Sequence, residues 1–269
     1  MGTVPERTLW VGVSLKMYFS HARAASWCAQ IAEIARTHPA TAGPDAPVKL
    51  FVIPSFPSIP AALAVAGDAV LVGGQDLATE DVGAYTGEVS GAELAELGCR
   101  VVEVGHAERR RLFGETEDVV AAKTLAALRN RLAPVLCIGE ADVADPEAAA
   151  AECIRQIDSA LSLARESGIG GQIIVAYEPH WAIGAAIPAS DEHIRRVCML
   201  IRAHLDASSD LSQAAIIYGG SAGPGLLTSI GDSVDGVFLG RFAHDASAVR
   251  SVLDEALALP AAGSPRAAF

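Results

Sequence analysis

Eight apolar runs of five or six residues recur along the chain, at 8–13, 49–54, 69–74, 100–104, 134–138, 172–177, 214–218 and 235–239. Several lack apolar–polar alternation, which is the pattern of parallel strands covered on both faces. Between them the apolar spacing changes to three or four residues, the helical period. Residues 21–37 carry Ala24, Trp27, Cys28, Ile31, Ile34 and Ala35 on one stripe. Shorter helical segments are expected at 55–65 and 93–97, and longer ones at 116–131 (Thr116 as N-cap), from Asp145-Pro146 to about Ser167, from Ser190, and at 246–259. Pro/Gly/Ala-rich 39–47 reads as a loop, and 75–90 as a long polar loop of the kind that usually carries function. Strand and helix alternating eight times in about 250 residues describes a single-domain (β/α)8 TIM barrel over 1–260, with 261–269 a loose tail. The rival is an open doubly wound sheet, but no Gly-x-Gly-x-x-Gly follows the first strand.

Composition narrows the function classes. At 269 residues and 51% hydrophobic, the chain builds a large core. Its net charge of −12 leaves no basic stripe for nucleic acid, and no apolar run is long enough for a membrane span. An acidic chain that takes an anionic substrate must attract it locally, with a few cations and backbone N–H groups. The cysteines number five, an odd count, and no two are spaced Cys-x-x-Cys. That argues against a disulfide framework and a zinc site, and fits a reducing cytoplasm. The first residues carry no signal-peptide pattern, and Glu6 breaks the myristoylation pattern.

The candidate chemistry lies where the apolar runs end. Lys16 follows the first, His106 the fourth and Glu178 the sixth. Singly, each has a plain reading: a solvated lysine, a structural histidine, a glutamate opening a helix. In a barrel all strand ends meet on one face, so the three would share one pocket. Glu178 is followed by Pro179 and a compact segment to Ser190, which suits a base on a rigid strand under a mobile lid. Gly184, Gly219-Gly-Ser221 and Gly240-Arg241 occupy the last three loops, where glycine-rich turns bind phosphate. The implied reaction is proton transfer beside a carbonyl. Glu178 takes a proton from carbon, His106 serves the oxygens, and Lys16 offsets the charge of an enediolate. Such a reaction needs no metal or organic cofactor. Glu108 reads as an orienting partner for Lys16, Arg109 and Arg110 as structural, and Cys137 as core.

Lys16-Met17, Gly83-Ala-Tyr-Thr-Gly-Glu88, Gly105-His-Ala-Glu-Arg-Arg110, Cys137-Ile-Gly-Glu140, Ala176-Tyr-Glu-Pro-His-Trp-Ala-Ile-Gly184 and Tyr218-Gly-Gly-Ser221 resemble triosephosphate isomerase, in order and across nearly the whole chain. The glutamate base paired with a neutral imidazole, and the closing loop, are known features of that family and come here with the resemblance. The resemblance also implies a homodimer, joined through the loop around Thr86.

The departures from that family gather at the site. The usual Asn-Trp-Lys is Ser14-Leu-Lys16, which shortens a donor at position 14. Ala107 replaces a serine. The lid reads Gly184-Ala-Ala-Ile-Pro188 in place of Gly-Thr-Gly-Lys, and Gly240-Arg241 replaces Gly-Gly. Gly12-x-Ser-x-Lys-Met17, Phe51-Val-Ile-Pro54, Trp181-Ala-Ile-Gly184 with a downstream Ile187-Pro-Ala-Ser190, and Gly236-x-Phe-x-Gly-Arg241 together look like the erythrulose-phosphate isomerase branch, whose members convert L-erythrulose 1-phosphate to D-erythrulose 4-phosphate. The resemblance thus assigns Lys16, His106 and Glu178 to catalysis, and Ser14, Lys16, Gly184, Ser221, Gly240 and Arg241 to the phosphorylated substrate. Two alternatives stay open: a triosephosphate isomerase with a drifted site, and a non-catalytic paralogue that binds a sugar phosphate.

Overall fold

The computed structural model describes residues 8–259 except 44, 186 and 212. The expected tail at 261–269 lies outside the described residues. Strands β1 (Leu9–Ser14), β2 (Val48–Ile53), β3 (Leu71–Gly74), β4 (Val101–Val104), β5 (Ala133–Ile138), β6 (Ile174–Tyr177), β7 (Ala215–Tyr218) and β8 (Gly236–Leu239) close a parallel barrel in sequence order. Helices α1 (His21–Thr37), α2 (Ile59–Ala66), α3 (Gly91–Leu97), α4 (Ala107–Phe113), α5 (Glu117–Arg129), α6 (Pro146–Glu166), α7 (Asp191–Ala207), α8 (Leu226–Ile230) and α9 (Ala246–Ala258) belong to the connections between strands and to the chain's end. The expected N-cap Thr116 forms, and Asp145 and Ser190, expected to open helices, likewise each accept a backbone N–H of the helix that follows. No helix among the described residues is long and apolar enough to cross a membrane.

Two helices were not foreseen. Helix α4 has no buried residue, so it shows no apolar stripe to read. It is held by its ends and by charge: Arg109 pairs with Asp76 and Glu115, and Arg110 with Glu117. Lys123 binds Asp76 and Glu115 at 2.6 Å each, locking the start of the loop after β3 to α5. Helix α8 is a five-residue turn, too short for periodicity to register.

Strand residues alternate between two cores. Outward residues such as Val11, Val102, Val104 and Val175 join the helices in the larger cluster. Inward residues Trp10, Phe51, Val101, Val135, Cys137, Ile174, Ala176, Ile217 and Phe238 fill the barrel. Continuing that alternation toward the C-terminal ends brings Ser14, Glu103 and Glu178 inward, above the packed interior. All five cysteines are free and buried, and burial pushes the Cys28 and Cys99 thiols up to about 11.

Candidate active site

The strand ends deliver the candidate residues at fixed angles. Glu178 comes immediately after β6, its N–H bonded to Ile138 O at 2.8 Å. It is only 3% exposed. Burial, and secondarily the Glu103 carboxyl, push its pKa well above the usual carboxylate range, while Lys16 opposes the rise. Its Oε2 has no hydrogen-bond partner among the described residues. A desolvated carboxylate with a free oxygen is a strengthened base.

At the end of β4, Gly105 turns with φ +72° and makes His106 the N-cap of α4. His106 Nδ1 accepts the Glu108 N–H at 3.1 Å. In the neutral ring that bond leaves the proton on Nε2. Burial, and next the Lys16 ammonium, push the His106 pKa down to about 4. The ring is therefore a neutral Nε2–H donor near pH 7, with Nε2 3.4 Å from Glu178 Oε2.

Lys16 lies just past β1 with φ +45°, an uncommon conformation for a non-glycine residue. Gln75 holds it there, its Nε2 donating to Lys16 O at 2.9 Å and to Ile53 O at 3.1 Å. The ammonium binds Glu108 Oε1 at 2.8 Å, the expected orienting pair. Burial alone would lower the Lys16 pKa, but the Glu108 bond and the carboxylates around it outweigh burial and raise it. The side chain stays cationic.

The lid begins on a rigid base. Trp181 Nε1 donates to Glu140 Oε1 at 2.8 Å, and Tyr177 OH donates to the same oxygen at 3.2 Å. Ser221 Oγ donates to Ala182 O at 3.1 Å, tying the loop after β7 to the lid's first turn. Gly184, with φ +70°, is exposed beyond that anchor. Gly219 must be glycine here, because an added Cβ would fall 2.5 Å from Glu178 Oε1. The exposed Arg241 has no carboxylate partner among the described residues, and its Nη2 comes within 3.6 Å of the position a Gly184 Cβ would take.

Ser14, Lys16, His106, Glu178, Gly184, Ser221, Gly240 and Arg241 all line one cavity of about 490 Å³. The cavity also contains residues that sequence reasoning passed over, chiefly Glu103 and Arg111. Glu103 is 4% exposed, accepts Ser14 Oγ at 3.1 Å, and has Oε1 3.8 Å from His106 Nε2. Its trace in the sequence was slight: a carboxylate set among the valines of the run at 100–104, with nothing to say which face it takes. Gln75 gave none beyond its place at the start of a long loop.

The closed parallel barrel with a cavity at its strand ends is a (β/α)8 architecture. The triosephosphate isomerase family model matches residues 9–256, and the chain belongs to that family. It is 50% identical to the L-erythrulose-1-phosphate isomerase of Pectobacterium atrosepticum, over 94% of this chain and 97% of that one. Against the protein of the same name from Mesorhizobium japonicum the identity is 34%, over 93% and 97%. The triosephosphate isomerase of Moorella thermoacetica is 40% identical over 77% of this chain and 85% of its own.

Proposed function

We propose that the protein isomerises L-erythrulose 1-phosphate to D-erythrulose 4-phosphate. The observation that carries this reading is the 50% identity, spanning nearly all of both chains, to a relative named for that substrate. The departures at Ser14, the lid and Arg241 support it. A triosephosphate isomerase is the second reading, favoured by the 40% identity to a protein of that name.

The chemistry follows from the geometry. Glu178 Oε2 takes the proton from C3 of the ketose, and the released electron pair forms the C2–C3 double bond of an enediolate. The negative charge on the C2 oxygen is met by the Lys16 ammonium and the His106 Nε2–H. His106 passes a proton from the C3 oxygen to the C2 oxygen, and protonated Glu178 returns its proton to C2. The carbonyl has then moved from C2 to C3, with no net gain or loss of atoms. Gly184, Ser221 and Gly240 cradle the phosphate, and Arg241 adds a guanidinium beside the lid.

The protein acts as a homodimer joined through the loop around Thr86. Residues 82–88 are exposed throughout, and Met17 (93% exposed), Val82 (89%), Tyr85 and Phe113 present apolar surface after β1, β3 and β4. Its five unpaired cysteines suit a reducing cytoplasm.

The test is turnover in D2O, followed by NMR, with L-erythrulose 1-phosphate and dihydroxyacetone phosphate in separate samples. Faster conversion of the four-carbon ketose is expected, and Glu178→Gln should cut kcat by ~10²- to 10⁴-fold. Faster conversion of the triose would replace this reading with the second. Turnover that survives Glu178→Gln would remove Glu178 as the base, and absence of turnover with either substrate would favour a binding paralogue.

A further inference from the structure

Glu103 is the least expected side chain in the cavity. A carboxyl buried to 4% exposure in a strand otherwise made of valine is costly unless it is bonded or used. Its position follows from strand alternation. Val102 and Val104 face the helices while Val101 and Glu103 face the barrel axis, so the side chain enters from the wall of the pocket. Among the described residues no lysine or arginine forms a salt bridge with it, and the one basic side chain within 4 Å is His106, neutral near pH 7. Its hydrogen-bonded partner is a hydroxyl, Ser14 Oγ, at 3.1 Å. A structural carboxylate would be expected to look like Asp76 or Glu115, which lie in the same molecule against Lys123 and Arg109.

The substrate's shape says what such a group would meet. The glycine turns at Gly184, Gly219–Ser221 and Gly240 sit in loops at the mouth. The reacting carbons must lie within reach of both Glu178 Oε2 and His106 Nε2, which are neighbours 3.4 Å apart. Relative to a three-carbon ketose phosphate, a four-carbon one carries one more hydroxymethyl group, on the reacting carbon farther from the phosphate. With the phosphate at those turns, that group extends toward the strand residues that line the cavity, among them Ser14, Glu103 and Phe238. Phe238 belongs to the barrel's packed interior and offers only an apolar face. The polar groups there are the Ser14–Glu103 pair, one carboxyl oxygen of which lies within 3.8 Å of His106 Nε2.

We propose that Glu103, oriented by Ser14, is a specificity-determining residue that binds the distal hydroxymethyl group of a four-carbon ketose phosphate. The inference rests on the erythrulose-phosphate reading above and deepens it by naming the groups that distinguish four carbons from three. Ser14 holds one carboxyl oxygen, and the other meets the substrate hydroxyl. Burial, opposed chiefly by Lys16, pushes the Glu103 pKa up to about 7. The group therefore accepts a hydrogen bond as the carboxylate and donates one as the acid, and a hydroxyl complements both.

The experiment measures kcat/KM for L-erythrulose 1-phosphate and for dihydroxyacetone phosphate in the wild type, Glu103→Gln, Glu103→Val and Ser14→Ala. The four-carbon to three-carbon ratio is expected to fall by ~10- to 100-fold in Glu103→Val, and by less in Glu103→Gln and Ser14→Ala. A residue that merely supported His106 would lower both substrates together and leave the ratio unmoved. An unmoved ratio in a wild type that prefers four carbons would overturn this inference alone. A wild type that prefers three carbons would overturn the functional reading and this inference with it. Glu103→Gln is nearly isosteric, so it keeps the test decisive if the valine variant does not fold.

Discussion

Glu178 and Glu103 bring two buried carboxyl groups to one cavity, and both are pushed toward the neutral form. Each shift has a thermodynamic counterpart. With a folded pKa of about 7 against an ordinary 4.5, Glu103 holds its proton in the native state between those values while the unfolded chain has lost it. Native protein then binds more protons, so this group's contribution to stability falls as pH rises from 4.5 through 7. His106, at about 4 against 6.5, acts in the opposite sense: the unfolded chain takes the proton first, and acidification through that window destabilises. Comparing Glu103→Gln with wild type isolates the first effect. The variant should gain melting temperature over wild type at pH 8 and gain much less at pH 5, the full difference being on the order of 3 kcal/mol. An equal gain at both pH values would mean that Glu103 ionises normally. Lys16, His106 and Glu178 were legible in the sequence because each follows an apolar run within a distinctive motif. Glu103 was not, since it lies inside such a run. Which face it takes is fixed by the alternation of β4 within the closed barrel, and length and hydropathy do not report that.

Among the elements, the turns after the strands do the positioning, and their sequence is set by space. Gly219 follows β7 where an added methyl would meet the Glu178 carboxylate. Gly219→Ala is expected to leave the barrel folded by circular dichroism while lowering kcat by ~10- to 100-fold, because the base is displaced. Unchanged kcat would show that Glu178 has another rotamer competent for the reaction. The long strands and helices could be read from periodicity because they bury apolar stripes against one another. Helix α4 could not, since it buries no apolar stripe and its stability comes from the His106 cap, Gly114 at φ +71° and ion pairs to α5 and its approach. That unforeseen helix is what turns the His106 ring, by offering Nδ1 a backbone N–H.

Across the molecule, the charge and the apolar exposure are unevenly placed. The chain carries −12 overall, yet in one cavity Lys16, Arg111 and Arg241 match the number of its carboxyl groups, Glu103, Glu108 and Glu178. The exposed apolar residues after β1, β3 and β4 mark the face assigned to the dimer. Thr86→Arg, which would bury a guanidinium there, is expected to shift sedimentation from dimer to monomer and to lower kcat; a dimer that persists would place the interface elsewhere. The barrel as a whole was readable because eight repeats of one strand–helix unit leave few other topologies. The five cysteines have a further consequence. Each thiol is buried and held protonated, so a thiol-reactive dye added to native protein meets almost nothing to label. Labelling then proceeds at the rate at which the barrel opens. The chain carries its own unfolding clock, with hands distributed through α1, the turn before β4, β5, α6 and α7.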